Sequence, residues 1–559
     1  MVSPTVTILS HTFTQPDPRP DTSKSVTLGI PDNATAGYSP PQAIWFYDAP
    51  KDQDIFSTKV LTQSLQRVLS SYPAYAGRLE HIPYRPDGDW SERLGRLRVN
   101  YGTPTDPGVE TVIALCEAPL ASLIPNAEQR GRVWNASDVP FALFSGQDLK
   151  IALHDGLETG GLPAAIVKMT TFACGGIAIA ARLQHVLGDA QAFLQFVRDW
   201  AATHRAMAKG LPPPVLTPIF DPRILDERAA GDINSAAPDK DILTAARELP
   251  VHRYDWWASA PDCPAPFQHR TKPAPELQSM EASARGRPLP WQDWDTTQPT
   301  PHYVLHYTAA DIANMYQALA PPPSSTEYAF SHLDALLAHL WAAIIRIRNL
   351  PPSDPIFLNF AFNFRPRMTP PLPASLLGVP ACMIHAASHA SRAQDRDTRA
   401  LAVAIRAAIN RMHGGTIPLF LHEVAHQVDA QRVWQLFGGR HHVMATSWLQ
   451  HGMCEVDFGA GARPRFVEAL MPGWIMQLME ARYGDPVDDD DDDDDADGER
   501  FVDDHDDGSE TVNTGNGDSS IKAARHQKKR ERPWYSSGVD ISFNLEAEVA
   551  EKLSQEPLY

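Results

Sequence analysis

Apolar residues recur in this chain at two spacings, and the alternation between them predicts its elements. Val60, Leu61, Leu65, Val68 and Leu69 fall on one face of a helix. From Ile166 to Gln184 two apolar, β-branched stretches are hinged at Gly175-Gly176, the pattern of a buried hairpin. Ala192 to Trp200 returns to helical spacing. His185 is thereby placed where a buried strand gives way to a helix. Further on, Thr308 to Leu319 and Ser331 to Arg348 read as helices, Pro355 to Phe364 as a strand, and Arg399 to Met412 as an Ala-rich helix. Val539 to Leu545 and Glu546 to Leu553 form a last strand and helix. The stretch from Leu211 to Pro301 has no sustained period and is punctuated by Pro212-Pro-Pro214, Pro264, Pro266, Pro273, Pro275, Pro288 and Pro290, so it reads as an irregular crossover linker. The pattern predicts an α/β (α+β) protein.

Composition narrows this picture. With 559 residues, 43% of them hydrophobic, the chain has ample material for real cores. The most apolar run, near Ala164 to Ala181, is interrupted by Lys168, and no stretch reaches the ~18 to 20 residues of a membrane span. No basic segment followed by an apolar one opens the sequence, and the five cysteines contain no C-x-x-C pair. We therefore expect a cytoplasmic monomer without disulfides. The net charge of −19 is unevenly spread: residues 488–510 hold 13 Asp, 2 Glu and 1 Arg, which leaves −5 for the rest. A basic stretch, Lys522 to Arg532, follows. Such a self-repelling, low-complexity insert buries nothing and is expected to be a disordered loop, so nucleic acid is not expected as a partner.

The chemistry concentrates in a few short segments. Among the 21 histidines only His185 has an Asp four residues on, in His185-Val-Leu-Gly-Asp189. An imidazole titrating near neutrality suits general base work, although a core histidine satisfied by a local Asp explains the pentapeptide alone equally well. A rival is His422-Glu-Val-Ala-His426, an H-E-x-x-H match in which two His one turn apart would bind zinc with Glu423 as base, as in a metalloprotease. Its longer metzincin form is absent, because Asp429 and Arg432 stand where a Gly and a third His are needed. A third reading is a non-catalytic interaction protein that uses the acidic insert.

Five segments in fixed order favour the first reading. Ser70-Ser-Tyr-Pro-Ala-Tyr-Ala-Gly-Arg-Leu79, His185 to Asp189, Asn363-Phe-Arg-Pro-Arg367, Thr446-Ser-Trp448 and Asp457-Phe-Gly-Ala-Gly461 resemble the signature series of the acyl-CoA-dependent HxxxD acyltransferases, the BAHD family and its fungal relatives. The helix from Ser331 to Arg346 is similar to the one that family carries before its central Arg motif. Ala460, where plant members have Trp, and the Pro-rich middle look more like the fungal secondary-metabolite O-acetyltransferases.

The resemblance implies two chloramphenicol-acetyltransferase-like domains, 1–205 and 301–484, joined by a crossover at 206–300 and enclosing a tunnel. Residues 485–533 would be an insert, and 534–559 would complete the second domain. It implies His185 as general base, and Thr446 and Trp448 beside the developing oxyanion. Asp189 and Arg365 would be a structural ion pair, although Asn363 replaces the family's usual Asp. Asp457, Gly459 and Gly461 would form a structural turn near the coenzyme's path. Acyl-CoA, most simply acetyl-CoA, would be the co-substrate and a small hydrophobic alcohol the acceptor, with neither bound metal nor bound cofactor required.

Overall fold

The computed structural model describes residues 4–51, 53–154, 158–259, 262–277, 286–319, 330–459, 461, 463–481 and 533–556. The acidic and basic insert expected at 485–533 falls almost entirely outside these residues, as does Ala460.

Two large sheets carry the architecture. The first has six strands in the order Val6–Thr14, Val109–Cys116, Ala165–Phe172, Ile177–Leu183, Gln42–Tyr47, Phe466–Ala469. The second has seven, in the order Ala381–His389, Pro355–Asn363, His442–Ser447, Ile475–Glu480, Val539–Asn544, His302–Tyr307, Val133–Asn135. The expected hairpin forms the middle of the first sheet, with Ala165 opposite Leu183 and Thr171 opposite Ile177. Its turn needs both glycines: Gly175 has φ +85°, and a Cβ on Gly176 would lie 2.7 Å from the Tyr47 carbonyl oxygen. Every residue of Ile177–Leu183 is buried, which is why the sequence there is an unbroken apolar run except for Arg182.

Helices cover the sheets where the 3.6-residue period predicts them. Thr58–Leu69 packs on Ala190–Ala208 in the first half. In the second half His332–Arg348 is buried along most of its length by Thr398–Asn410 and its neighbours. Its start is fixed by a capping box, in which Ser331 N–H donates to Asp334 Oδ2 at 2.7 Å and Asp334 N–H donates back to Ser331 Oγ at 3.2 Å.

Two features differ from the sequence reading. Each sheet takes its last strand from the other half of the chain: Phe466–Ala469 pairs with Gln42–Tyr47, and Val133–Asn135 pairs with His302–Tyr307. The sheets therefore do not divide at residues 205 and 301, because strand pairing is set by long-range contact and not by position in the sequence. The crossover is also more than a linker. It contains a helix, Lys240–Arg247, and its Tyr254, Trp256, Cys263, Leu289 and Trp291 form an aromatic-rich core with Phe437 of the second half. Stacked rings pack with no period along the chain, so neither spacing marks them.

The exchanged strand is held by Phe466, which is fully buried with its ring 5.1 Å from Trp134 and 5.0 Å under the Arg130 guanidinium. Phe466→Ala should cost about 3–5 kcal/mol in urea unfolding. A loss below ~1 kcal/mol would show that the exchange does not clasp the halves.

Candidate active site

The strand Ile177–Leu183 ends at Gln184, whose buried side chain shapes the next turn. Its Oε1 accepts the His185 backbone N–H at 2.5 Å, and its amide donates to the Ala152 carbonyl. One 3-10 turn, His185–Leu187, follows, and Asp189 then caps the helix Ala190–Ala208 by accepting the Ala192 N–H at 2.9 Å. A carboxylate at this end also meets the positive pole of a 19-residue helix.

Asp189 also faces across to the second half of the chain. Arg365 Nη1 donates to its Oδ2 at 2.5 Å and Nη2 to its Oδ1 at 3.1 Å, a two-point pair with side chains 13% and 3% exposed. The guanidinium is further held by the Leu376 carbonyl, at 2.7 Å from Nη2. Asn363 substitutes for the missing carboxylate by geometry: its Oδ1 accepts the Arg365 N–H at 2.9 Å and its amide donates to Gln191 Oε1 at 3.0 Å. Backbone bonds continue the seam, with Asp189 N–H to Gly378 O at 3.1 Å and Gly378 N–H to Leu187 O at 3.2 Å.

Where the sheets meet lies a cavity of about 460 Å³. Its wall includes His185, Asp189, Thr446 and Trp448, with Tyr38 beside the imidazole, while Phe360, Phe362, Met444 and Met471 are among the apolar residues. Thr446 stands half-buried on the strand His442–Ser447. Trp448 is 2% exposed, and its indole N–H is buried without an acceptor. That N–H is therefore available to donate to a group placed in the cavity. His185 is likewise enclosed. Burial lowers its pKa from the ordinary 6.5, opposed by its own backbone carbonyl and the negative charge of Asp189.

Asp457, Gly459 and Gly461 do not line this cavity. They form a turn in which Asp457 Oδ1 accepts the Gly459 N–H at 2.7 Å, with φ +103° and +68° at the two glycines. Between them Phe458 is fully buried, 4.8 Å from the Trp200 ring, and the Asp457 carbonyl accepts from Arg205. The turn thus braces the helix that Asp189 caps. Tyr72 and Tyr75 brace the same helix, with rings 5.2 Å and 5.3 Å from Phe196.

The H-E-x-x-H match is structural. His422 is fully buried, with Nδ1 donating to the Ala230 carbonyl at 2.6 Å and Nε2 accepting the Asp239 N–H at 3.1 Å, so neither nitrogen has a lone pair to offer. Glu423 is held by Arg253 through two 2.7 Å bonds. His426 bonds to the His422 carbonyl and to Ser235. Among the described residues no group of three or more His, Cys, Asp or Glu side chains is placed to hold a metal ion. The zinc reading is therefore withdrawn.

Two residues of the site carried no signal in the sequence. Tyr38 lies in the aperiodic Gly37-Tyr-Ser-Pro-Pro41, yet its ring stands edge-on to His185, 5.5 Å away at 86°. Gln184 read only as the end of an apolar run.

Comparison with known proteins agrees with this architecture. The model described as Transferase family matches residues 5–254 and 276–485. The acyltransferase AFT15-1 of Alternaria alternata is 28% identical over 349 residues, 61% of this chain and 64% of that protein, so the match spans slightly under two thirds of the relative. The acyltransferase abl6 of Leptosphaeria maculans is 25% identical over 67% of this chain and 70% of its own length. In fold, the chain is similar to vinorine synthase, with a TM-score of 0.56 at 17% identity over 98% of this chain and 96% of that one. It is also similar to TRI101 of F. sporotrichioides complexed with coenzyme A and T-2, with a TM-score of 0.57 at 15% identity over 95% and 97%.

Two outcomes follow from the geometry. Asp189→Asn keeps a good helix cap while removing the charge opposite Arg365, so it should destabilise the protein by on the order of 3 kcal/mol in chemical denaturation. A variant of parental stability would show that the pair does not hold the seam. Metal analysis of the purified protein should find no stoichiometric zinc, and His426→Ala with chelator treatment should leave turnover within about twofold. One zinc per chain would restore the metalloprotease reading.

Proposed function

The chain belongs to the Transferase family of BAHD-like, acyl-CoA-dependent acyltransferases, and from that premise we propose that it moves an acyl group, acetyl first among them, from coenzyme A to a hydroxyl on a hydrophobic metabolite. The observation that carries this reading is the pairing, in one cavity wall, of an enclosed imidazole with a buried indole N–H that has no partner.

Each group has a defined task. His185 takes the proton of the acceptor hydroxyl as its oxygen attacks the thioester carbon. Burial favours the neutral ring, whose single protonated nitrogen leaves the other free to act as the base. The carbonyl π electrons move onto oxygen, and the Trp448 N–H, with the Thr446 hydroxyl, donates to that oxyanion. When the C=O bond re-forms, the C–S bond breaks and the thiolate takes the proton back from His185. Transfer is direct. Cys382 is a thiol in the cavity wall, but burial pushes its pKa far up, which makes it a poor nucleophile for an acyl-enzyme. Apolar walls from Phe360, Phe362, Phe420 and Met444 favour a hydrophobic acceptor. Among the described residues no helix is long and apolar enough to cross a membrane.

Release of free thiol from acetyl-CoA, measured against a panel of terpenoid and polyketide alcohols, tests the activity. His185→Ala should lose ~10²- to 10⁴-fold in turnover with the fold intact. In the parent enzyme the base is lost as pH falls through its lowered pKa, so the acid limb of kcat/KM should lie below pH 6.5. Full turnover by His185→Ala would remove the proposal.

A further inference from the structure

We propose that Arg270, carried by the crossover, is a positioning residue for the base: it clamps the turn and the aromatic wall that hold Tyr38 edge-on against His185. The inference deepens the reading of His185 as base and rests on it.

Tyr38 is offered to the imidazole by a turn without regular structure, anchored locally by the Tyr38 N–H bond to the Thr35 carbonyl at 2.8 Å. Such a turn does not fix a ring by itself. The ring is fixed by packing on both sides, at 5.5 Å and 86° to His185 and at 4.7 Å and 71° to Trp434. Arg270 reaches both the turn and the wall. Its Nη2 donates to the Gly37 carbonyl, one residue before Tyr38, at 3.1 Å. Its guanidinium also lies over the Trp434 ring at 5.3 Å and the Trp256 ring at 5.6 Å.

Residue 37 records the closeness of the clamp. A Cβ there would overlap the guanidinium, coming within 2.8 Å of Cζ. Gly37 has no positive φ, so a Cβ there would strain no backbone and would act only by moving the guanidinium end of Arg270. Trp434 is tied into the crossover in turn, since it pairs with Tyr254 in a two-stranded ribbon. The crossover thus backs the Tyr38 ring on the side away from His185.

The physical consequence is exclusion of water from the imidazole and restriction of its swing. The titratable and charged groups around this assembly are Asp189 on the turn after His185, Cys382 on the second sheet, His451 in the cavity wall, Arg367 in the same wall and Arg270 itself. None of the first four is tied by a hydrogen bond to Tyr38 or Arg270 among the described contacts, so removing the clamp changes hydration and orientation while leaving those charges in place.

The test uses the full-length protein labelled with ¹³C-histidine, with the His185 signal assigned by its loss in His185→Gln. The pKa of His185 is followed by NMR in the parent, Tyr38→Phe, Tyr38→Ala, Arg270→Ala and Gly37→Ala, together with kcat and the KM for acetyl-CoA. Tyr38→Phe, which keeps the ring edge, should retain the parent titration. Tyr38→Ala, Arg270→Ala and Gly37→Ala should each raise the His185 pKa toward 6.5 and lower kcat by on the order of 10-fold, with KM within about twofold. Gly37→Ala displaces the guanidinium without deleting it, so it decides the matter if Arg270→Ala does not fold. A parental His185 titration in the clamp variants overturns the proposal, as does a loss of kcat without any change in titration. Full activity in His185→Gln would instead sink the general-base reading, and the titrations would still report whether the clamp holds.

Discussion

The ion pair between Asp189 and Arg365 is the constraint on which the site depends. It is buried, so both charges have lost water, and such a pair is sustained only by good geometry and further hydrogen bonds. Both conditions are met: the contact has two points, Asp189 caps a helix, and Arg365 also bonds to the Leu376 carbonyl. Because the partners are 176 residues apart in sequence, the pair joins the turn that carries His185 to the 3-10 turn Arg365–Arg367, which follows the strand Pro355–Asn363 of the other sheet. The backbone exchange between Asp189, Gly378 and Leu187 continues the join. The cavity exists because these two surfaces are held in register.

Within that frame the polar groups divide into spent and unspent. Asp189, Arg365, Asn363, Gln191, His422 and Glu423 all have partners that account for them. The Trp448 indole N–H and His185 Nδ1 have none among the described residues, and the His185 ring meets the Tyr38 edge. A folded chain leaves few buried donors unpaired. Those it leaves at a cavity wall are available to a substrate, and enclosure strengthens whatever electrostatic work they do there. The same bookkeeping separates the two histidine motifs, which composition and spacing alone could not.

How much of this was legible in the sequence depends on whether the forces involved leave a period. The hairpin at Ala165–Leu183, the helix at His332–Arg348 and the helix after His185 were legible, because burial of one face imposes a spacing. The family resemblance placed Asp189 opposite Arg365 in advance, although Asn363 departs from the usual pattern. The exchanged strands at Phe466–Ala469 and Val133–Asn135 were not legible, since three or four residues make no pattern and their partners lie hundreds of residues away. Nor was the aromatic core of the crossover, where ring stacking ignores period and proline punctuation reads as irregularity. Tyr38 was missed for the same reason, and with it the packing of the crossover behind that ring.

Acyl transfer in the cavity between the sheets, at His185, would be visible in a crystal structure of the protein with a non-hydrolysable thioether analogue of acetyl-CoA. The acyl end of the analogue should lie in that cavity, with its oxygen within about 3 Å of the Trp448 indole nitrogen and open space beside the His185 ring for an attacking hydroxyl. An analogue bound with its acyl end outside the cavity, or inside it with the carbonyl turned away from both residues, would rule out transfer at this site.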